Sequence, residues 1–255
     1  MTAGQQPEIS LCQFQAEGFV AVPQFLRGEE LAEVQRHVNR FITQIVPDLP
    51  SEDVFYEDRT NQDSLKQIQR MGHHDPWFHQ LFTSGRFRAL AETLLQGPVT
   101  PRNLQYFNKP ARIGQPTPAH QDGFYFMLDP CDAVTMWFAL DPVDEENGCV
   151  RYVPGSHRRG MRPHARTNTL GFSQGIVDYP TEEDRVREFP VPASPGDLLV
   201  HDAMTIHRAD GNQSHDRSRR SLGFVYYSQR AREDQAAHQE YQQRLKAELK
   251  SAGRI

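Results

Sequence analysis

AVTMWFAL, residues 133–140, reads as a strand with two unlike faces. Val134, Met136, Phe138 and Leu140 share one face, greasy enough to pack on helices. Ala133, Thr135, Trp137 and Ala139 share the other, which is small except for the indole. RRSLGFVYYS, residues 219–228, repeats the pattern: Arg219, Ser221, Gly223, Val225 and Tyr227 fall on one face. Small residues flanking a single arginine suit a strand that lines a cavity and extends a guanidinium into it. The two stretches together predict a barrel with a roomy, polar lumen.

Outward from these, short β-rich runs separated by Pro and Gly follow Gly97-Pro98, at 102–109, 119–126, 149–153, 197–201 and 204–208. Upstream the period changes. Leu31, Val34, Val38, Phe41, Ile42 and Ile45 mark one face of a helix over Glu29 to Val46. Asp75-Pro76 reads as a cap and first-turn proline, and apolar positions between Trp77 and Leu95 give one or two further helices. The first hundred residues are thus expected to be mainly helical. Residues 158–190 have no clear period and read as a lid-like excursion over the sheet. A solvated terminal helix is expected beyond Arg230, around Leu245 and Leu249, with residues 1–8 and 240–255 frayed. Helices first and strands second give an α+β fold, and with no linker or repeat the reading is one domain over 1–255.

Composition narrows the function. Of 255 residues, 37% are hydrophobic and 10% aromatic, enough for a packed core. The formal charge is −5 with no long Lys/Arg block, which argues against nucleic-acid binding. No stretch approaches the length of a membrane span. Cys12, Cys131 and Cys149 form no CxxC pair, which speaks against a disulfide framework or zinc finger. With no signal-peptide pattern at the start, the expected location is cytoplasmic.

His120-Gln121-Asp122 puts an imidazole and a carboxylate two residues apart, roughly 6.5–7 Å along one face of an extended strand. Such neighbours are common in this chain, as His201-Asp202 and His73-His74-Asp75 show, so the pair acquires weight only with a third ligand. His207, read as the end of an apolar strand after the turn Pro195-Gly196-Asp197, supplies it. Two His and one carboxylate leave three metal positions open, the arrangement of non-haem Fe(II) oxygenases. Those positions suit a bidentate 2-oxo acid and then O2. Arg219, a fixed bidentate donor, meets the need of the keto acid's distal carboxylate, while Arg220 points the other way. The alternative for Arg217, Arg219 and Arg220 is a basic surface turn.

An ordered set of motifs strengthens this: NKP (108–110), HQD (120–122), AVTMWFALD (133–141), DEENGCVRYVPGSHRRG (144–160), PGDLLVHD (195–202) and HRADGNQS…RR (207–220). From about Asn103 to Tyr227 the chain resembles the phytanoyl-CoA dioxygenase family of 2-oxoglutarate oxygenases. The resemblance implies a double-stranded β-helix, or jelly roll, with helical support. It also implies Fe(II), 2-oxoglutarate and O2 at a catalytic centre. His120, Asp122 and His207 match the iron ligands. Arg219 matches the cosubstrate clamp, given one extra residue in the loop near His215. Trp137, Gln105 and the upstream Lys66 match residues beside the cosubstrate. Related halogenases lack the carboxylate ligand; Asp122 is present here, so hydroxylation of a small-molecule substrate with release of succinate and CO2 is the outcome implied.

Other readings remain open: a zinc hydrolase with the same ligands, a non-catalytic metal- or metabolite-binding jelly roll, or an epimerase or desaturase using the same iron chemistry. Ser156 in Pro154-Gly155-Ser156-His157 lacks the GxSxG elbow and reads as a strand exit. Phe124, Tyr125, Phe126 and Met127 are candidates to line the substrate pocket. Arg158, Arg159, Arg162, His164 and Arg166 either meet an anionic substrate or form a solvated loop. Substrate identity and oligomeric state are not legible.

Overall fold

The computed structural model describes residues 11–167, 169 and 173–251. Residues 1–8 and 252–255, part of the expected frayed ends, lie outside the described residues.

Two antiparallel sheets face each other. The larger runs, in spatial order, β1 (Phe19–Val22), β12 (Leu198–Asp202), β7 (Ala133–Ala139), β14 (Arg219–Ser228), β4 (Val99–Lys109), β3 (Leu65–Ile68) and β2 (Val54–Tyr56). The smaller is β11 (Phe189–Val191), β8 (Val150–Tyr152), β13 (His207–Ala209) and β5 (Thr117–His120). Two short pairs complete the strands: β9 (His164–Arg166) with β10 (Gln174–Ile176), and β6 (Leu128–Asp129) with β15 (Arg232–Glu233). This is the double-stranded β-helix with helical support. Its sheets form an open sandwich, which corrects the closed barrel: among the described residues the edge strands of the two sheets do not pair.

The alternation in β7 divides the molecule into its two cores. Val134, Met136 and Phe138 join the outer core, with Leu222, Phe224 and Tyr226 from β14. Helices α1 (Leu11–Glu17), α2 (Glu29–Gln44), α3 (Met71–His74), α4 (Pro76–Thr83) and α5 (Gly85–Leu94) support this face, and Phe87 of α5 stacks on Phe224 at 4.0 Å. Asp75 caps α4 by accepting from the Trp77 and Phe78 amides. The opposite face of β7 contributes Trp137 and Ala139 to an inner core with Phe19, Tyr152 and Leu199, between the sheets.

Several boundaries depart from the sequence expectation. The region before residue 100 is less purely helical, because β1, β2 and β3 join the larger sheet. The run 119–126 is not one strand. β5 stops at His120, Asp122 is helical in backbone (φ −58, ψ −34), and α6 (Gly123–Phe126) follows. The turn is held by bonds made far along the chain: the Gln121 amide side chain donates to Gly160 and Met204 carbonyls, and the Gly123 amide donates to Ala203. A Cβ on Gly123 would meet Cys131 Sγ at 2.4 Å, so this approach requires glycine. His207 likewise starts a strand and does not end one. Residues 203–206 form a turn in which the Asp202 carboxylate accepts from the Met204 amide and its carbonyl from the Thr205 amide.

The span 158–190 carries β9, β10 and α7 (Glu182–Arg187), the last begun by a capping box between Thr181 and Asp184. At the C-terminal end, where fraying was expected from 240, α8 (Gln235–Ser251) continues through the described residues. Among the described residues no helix is long and apolar enough to cross a membrane.

Candidate metal centre and cosubstrate pocket

Strand register brings the two imidazoles together. His120 of β5 is the cross-strand partner of His207 of β13, and their ring centroids are 4.2 Å apart. Each ring is oriented from behind through Nδ1, which donates to a backbone carbonyl two residues earlier: Pro118 at 2.8 Å for His120, Thr205 at 3.0 Å for His207. Both Nε2 atoms are thereby turned toward the site as lone-pair donors. Asp122 arrives from the turn after β5, with Oδ1 3.4 Å from His120 Nε2 and 3.8 Å from His207 Nε2. Ligand atoms of the three residues all lie within 4.8 Å of one another. Donors about 2.1 Å from a common ion at right angles would be about 3 Å apart, close to these spacings. The pair therefore converges through a turn and not through the pleat of one strand.

The electrostatics favour the ligand-ready protonation states. Burial pushes the Asp122 carboxyl up, but the His207, His120 and His201 imidazoles outweigh it and hold the group well below the ordinary carboxylate range. Burial, reinforced by His201 and His120, holds His207 well below its ordinary value. Two imidazoles presenting Nε2 and one carboxylate fit a divalent first-row metal such as Fe(II).

The site opens on a cavity of about 830 Å³. Trp137, Gly223 and Gln105 form one row across β7, β14 and β4. A Cβ on Gly223 would lie 2.8 Å from the Phe107 ring and 3.1 Å from Gln105 Cγ, so glycine keeps this row close-packed. Four residues along β14, Arg219 is 4% exposed and lies opposite Lys109. Its Nε donates to the Gly148 carbonyl at 3.1 Å, and its guanidinium sits 5.1 Å over the Trp137 ring. Among the described residues its recorded partners include no carboxylate. Burial pushes Arg219 down to about 10, which leaves it charged at neutral pH. Arg220, on the outer face, makes a bidentate pair with Asp141, and Arg217 pairs with Asp144 and Glu146 at the surface. The basic-turn alternative thus describes Arg217 and not Arg219.

Lys66 and Gln105 also border the cavity. Lys66 is buried and paired with Glu57 at 3.0 Å, and Gln105 Oε1 accepts from Gln67 at 3.1 Å. Of the aromatic run, Tyr125 and Phe126 line the cavity, whereas Phe124 stacks on His164 at 4.3 Å. The basic segment is largely internally matched: Arg159 with Glu183, Arg162 with Asp178 and Asp184, Arg166 with Glu248. This favours the structural reading over an anion site.

Four neighbours had no assigned place in the sequence reading. Lys109 is buried, its amine donating to the Gln115 carbonyl and to Thr117 Oγ1; burial, then Arg219 and Lys66, holds it well below its usual range. Thr135 and His201 bond to Asp122, and Tyr152 bonds to His201 from behind. The inward parity of Lys109 with Gln105, and of Thr135 with Trp137, was available in the alternation.

Comparison with known proteins agrees with this architecture. The profile described as Phytanoyl-CoA dioxygenase (PhyH) matches residues 14–221. Phytanoyl-CoA dioxygenase domain-containing protein 1 of Bos taurus is 26% identical over 256 residues, covering 84% of this chain and 87% of the relative. The non-heme alpha ketoglutarate dependent epimerase SnoN from nogalamycin biosynthesis superposes with a TM-score of 0.68 at 27% identity, over 87% of this chain and 82% of that one. SnoN has also been solved in complex with Fe3+, alpha ketoglutarate and nogalamycin RO. EvdO2 from Micromonospora carbonacea var. aurantiaca gives a TM-score of 0.69 at 26% identity, over 92% and 94% of the two chains. With the profile spanning most of the sequence, this chain belongs to the phytanoyl-CoA dioxygenase family.

Proposed function

We propose that this protein is an Fe(II)- and 2-oxoglutarate-dependent dioxygenase that hydroxylates a C–H bond of a small-molecule substrate, releasing succinate and CO2. The observation that carries the reading is the convergence of His120, Asp122 and His207 beside a cavity that also holds a buried guanidinium, Arg219, without a carboxylate partner among the described residues. A zinc hydrolase would have no use for that guanidinium.

His120 and His207 would hold the metal through Nε2, and Asp122 through Oδ1. When bound, ferrous iron with the keto acid and O2 supplies the oxidising power for C–H cleavage. The protein's own tasks are positional. Arg219 pairs with the distal carboxylate of 2-oxoglutarate, and the Trp137 indole holds the guanidinium from its face. Gln105 and Lys66 shape the cosubstrate end of the cavity, Lys66 through its pairing with Glu57. Tyr125, Phe126 and Tyr227 offer apolar walls to the substrate and exclude water. The family name does not specify the substrate, and an acyl-CoA handle is no part of this proposal. The similarity to an epimerase makes product analysis the measurement that separates hydroxylation from other oxidative outcomes.

The chain with Fe(II), O2 and 2-oxoglutarate is expected to form succinate, faster when a candidate metabolite is its substrate. Asp122→Ala is expected to abolish succinate formation. Undiminished turnover in that variant would refute the ligand assignment.

A further inference from the structure

Asp122 has two carboxylate oxygens, and they face different surroundings. Oδ1 points at the two imidazoles of the smaller sheet. Oδ2 accepts from two side chains of the larger sheet: Thr135 Oγ1 at 2.5 Å and His201 Nε2 at 3.1 Å. Thr135 and His201 are themselves cross-strand partners on β7 and β12. The site is thus built from two register pairs, His120 with His207 on one sheet and Thr135 with His201 on the other, with Asp122 between them.

An ionised carboxylate can only accept, so the Asp122 bond places the His201 proton on Nε2 and leaves Nδ1 as an acceptor. Tyr152, the register partner of His207 on β8, reaches across the sandwich and places its hydroxyl 2.9 Å from His201 Nδ1. Tyr152 is fully buried and its ring stacks on Phe19 at 4.5 Å, so the phenol has little freedom. A hydroxyl that donates to Nδ1 leaves the imidazole proton on Nε2, where it donates to Asp122. The relay runs one way, from Tyr152 through His201 to the carboxylate.

We propose that Thr135 and His201 are positioning residues that clasp Oδ2 and so restrict Asp122 to ligation through Oδ1 alone, with Tyr152 supporting the His201 tautomer. The inference rests on the reading of His120, Asp122 and His207 as metal ligands. Its consequence is coordinative: a carboxylate that binds through both oxygens occupies a position that the keto acid or O2 requires. Partners of this kind are typically worth 10–100-fold in metal affinity.

Co(II), titrated into the metal-free chain as a visible-absorbing probe, reads the site without turnover. Thr135→Val and His201→Leu are each expected to weaken Co(II) binding by about 10–100-fold and to change the intensity of its visible bands. Thr135→Ser and His201→Gln retain a donor and are expected to stay near wild type. Tyr152→Phe keeps the stacked ring, loses the relay, and is expected to fall between them; it remains informative where a core variant misfolds. Wild-type affinity and an unchanged spectrum in folded Thr135→Val and His201→Leu overturn the clasp. So does a His201→Gln that loses as much as His201→Leu. If Asp122→Ala binds Co(II) as wild type does, the ligand assignment itself fails and takes the clasp with it, a pattern distinct from failure of the clasp alone.

Discussion

Arg219 illustrates how one side chain can be costly to fold and necessary to function. A guanidinium at 4% exposure with no carboxylate partner among the described residues carries a desolvation penalty that a bound anion would relieve. Two contacts hold it meanwhile, the Gly148 carbonyl and the Trp137 face. Arg219→Lys keeps the charge but loses the planar fork. Loss of charge-assisted hydrogen bonds worth about 1.5–3 kcal/mol corresponds to roughly a 10–150-fold rise in KM for 2-oxoglutarate. Arg219→Met should be at least as impaired, and Co(II) binding should be unchanged in both. Steady-state kinetics against the keto acid check this, and an unchanged KM in Arg219→Met removes the clamp. This residue was legible because period-two alternation put it on the small-residue face of 219–228. His201 was not: beside Asp202 it resembled any His-Asp neighbour, and its role depends on Asp122 arriving from a turn that no local pattern announces.

At the scale of elements, strands were readable where they are long and two-faced. β14 has the predicted bounds, and β7 the predicted division into outer and inner cores. The failures cluster where tertiary hydrogen bonds decide the backbone. Gln121, bonded to Gly160 and Met204, ends β5 earlier than propensity indicates, and the Asp202 turn moves His207 from the end of one strand to the start of the next. That turn has a thermodynamic signature. Burial pushes Asp202 up to about 6, although the Met204 amide bond opposes it. For an acid raised in the folded state, stability is greatest when it is protonated and falls as pH rises from its ordinary 3.8 to about 6. Asp202→Asn keeps the acceptor for Met204 and removes the charge. It should stabilise the fold by about 1–2 kcal/mol above pH 7, after allowance for solvent screening, and by nothing near pH 3.5. Melting temperatures at the two pH values test it; an equal shift at both would exclude the carboxylate as the cause.

At the scale of the whole molecule, the cavity is bordered on one side by α8, beyond the stretch where the family motifs lie. Tyr241 is the one α8 residue that is buried among those described, at 6% exposure, and its hydroxyl lies 2.5 Å from Ser173 Oγ. Its ring stands edge-on to Tyr125 at 6.4 Å, and Tyr125 in turn stands edge-on to His120 at 5.9 Å. Other ties among the described residues include Lys246 with Glu52 at 2.7 Å, Arg166 with Glu248, and His238 with Glu233. Exposed pairs of this kind contribute about 0–1 kcal/mol each, whereas burial of one aromatic ring contributes about 2 kcal/mol. Tyr241 therefore dominates the docking of the helix. Tyr241→Ala should speed hydrogen exchange over 235–251 by more than about tenfold, and raise KM for the primary substrate. Because α8 lies outside both main cores, the melting temperature should change little. A variant in which exchange over this helix is unaltered would show that the ion pairs hold it; a large fall in melting temperature would show that α8 belongs to the cooperative core.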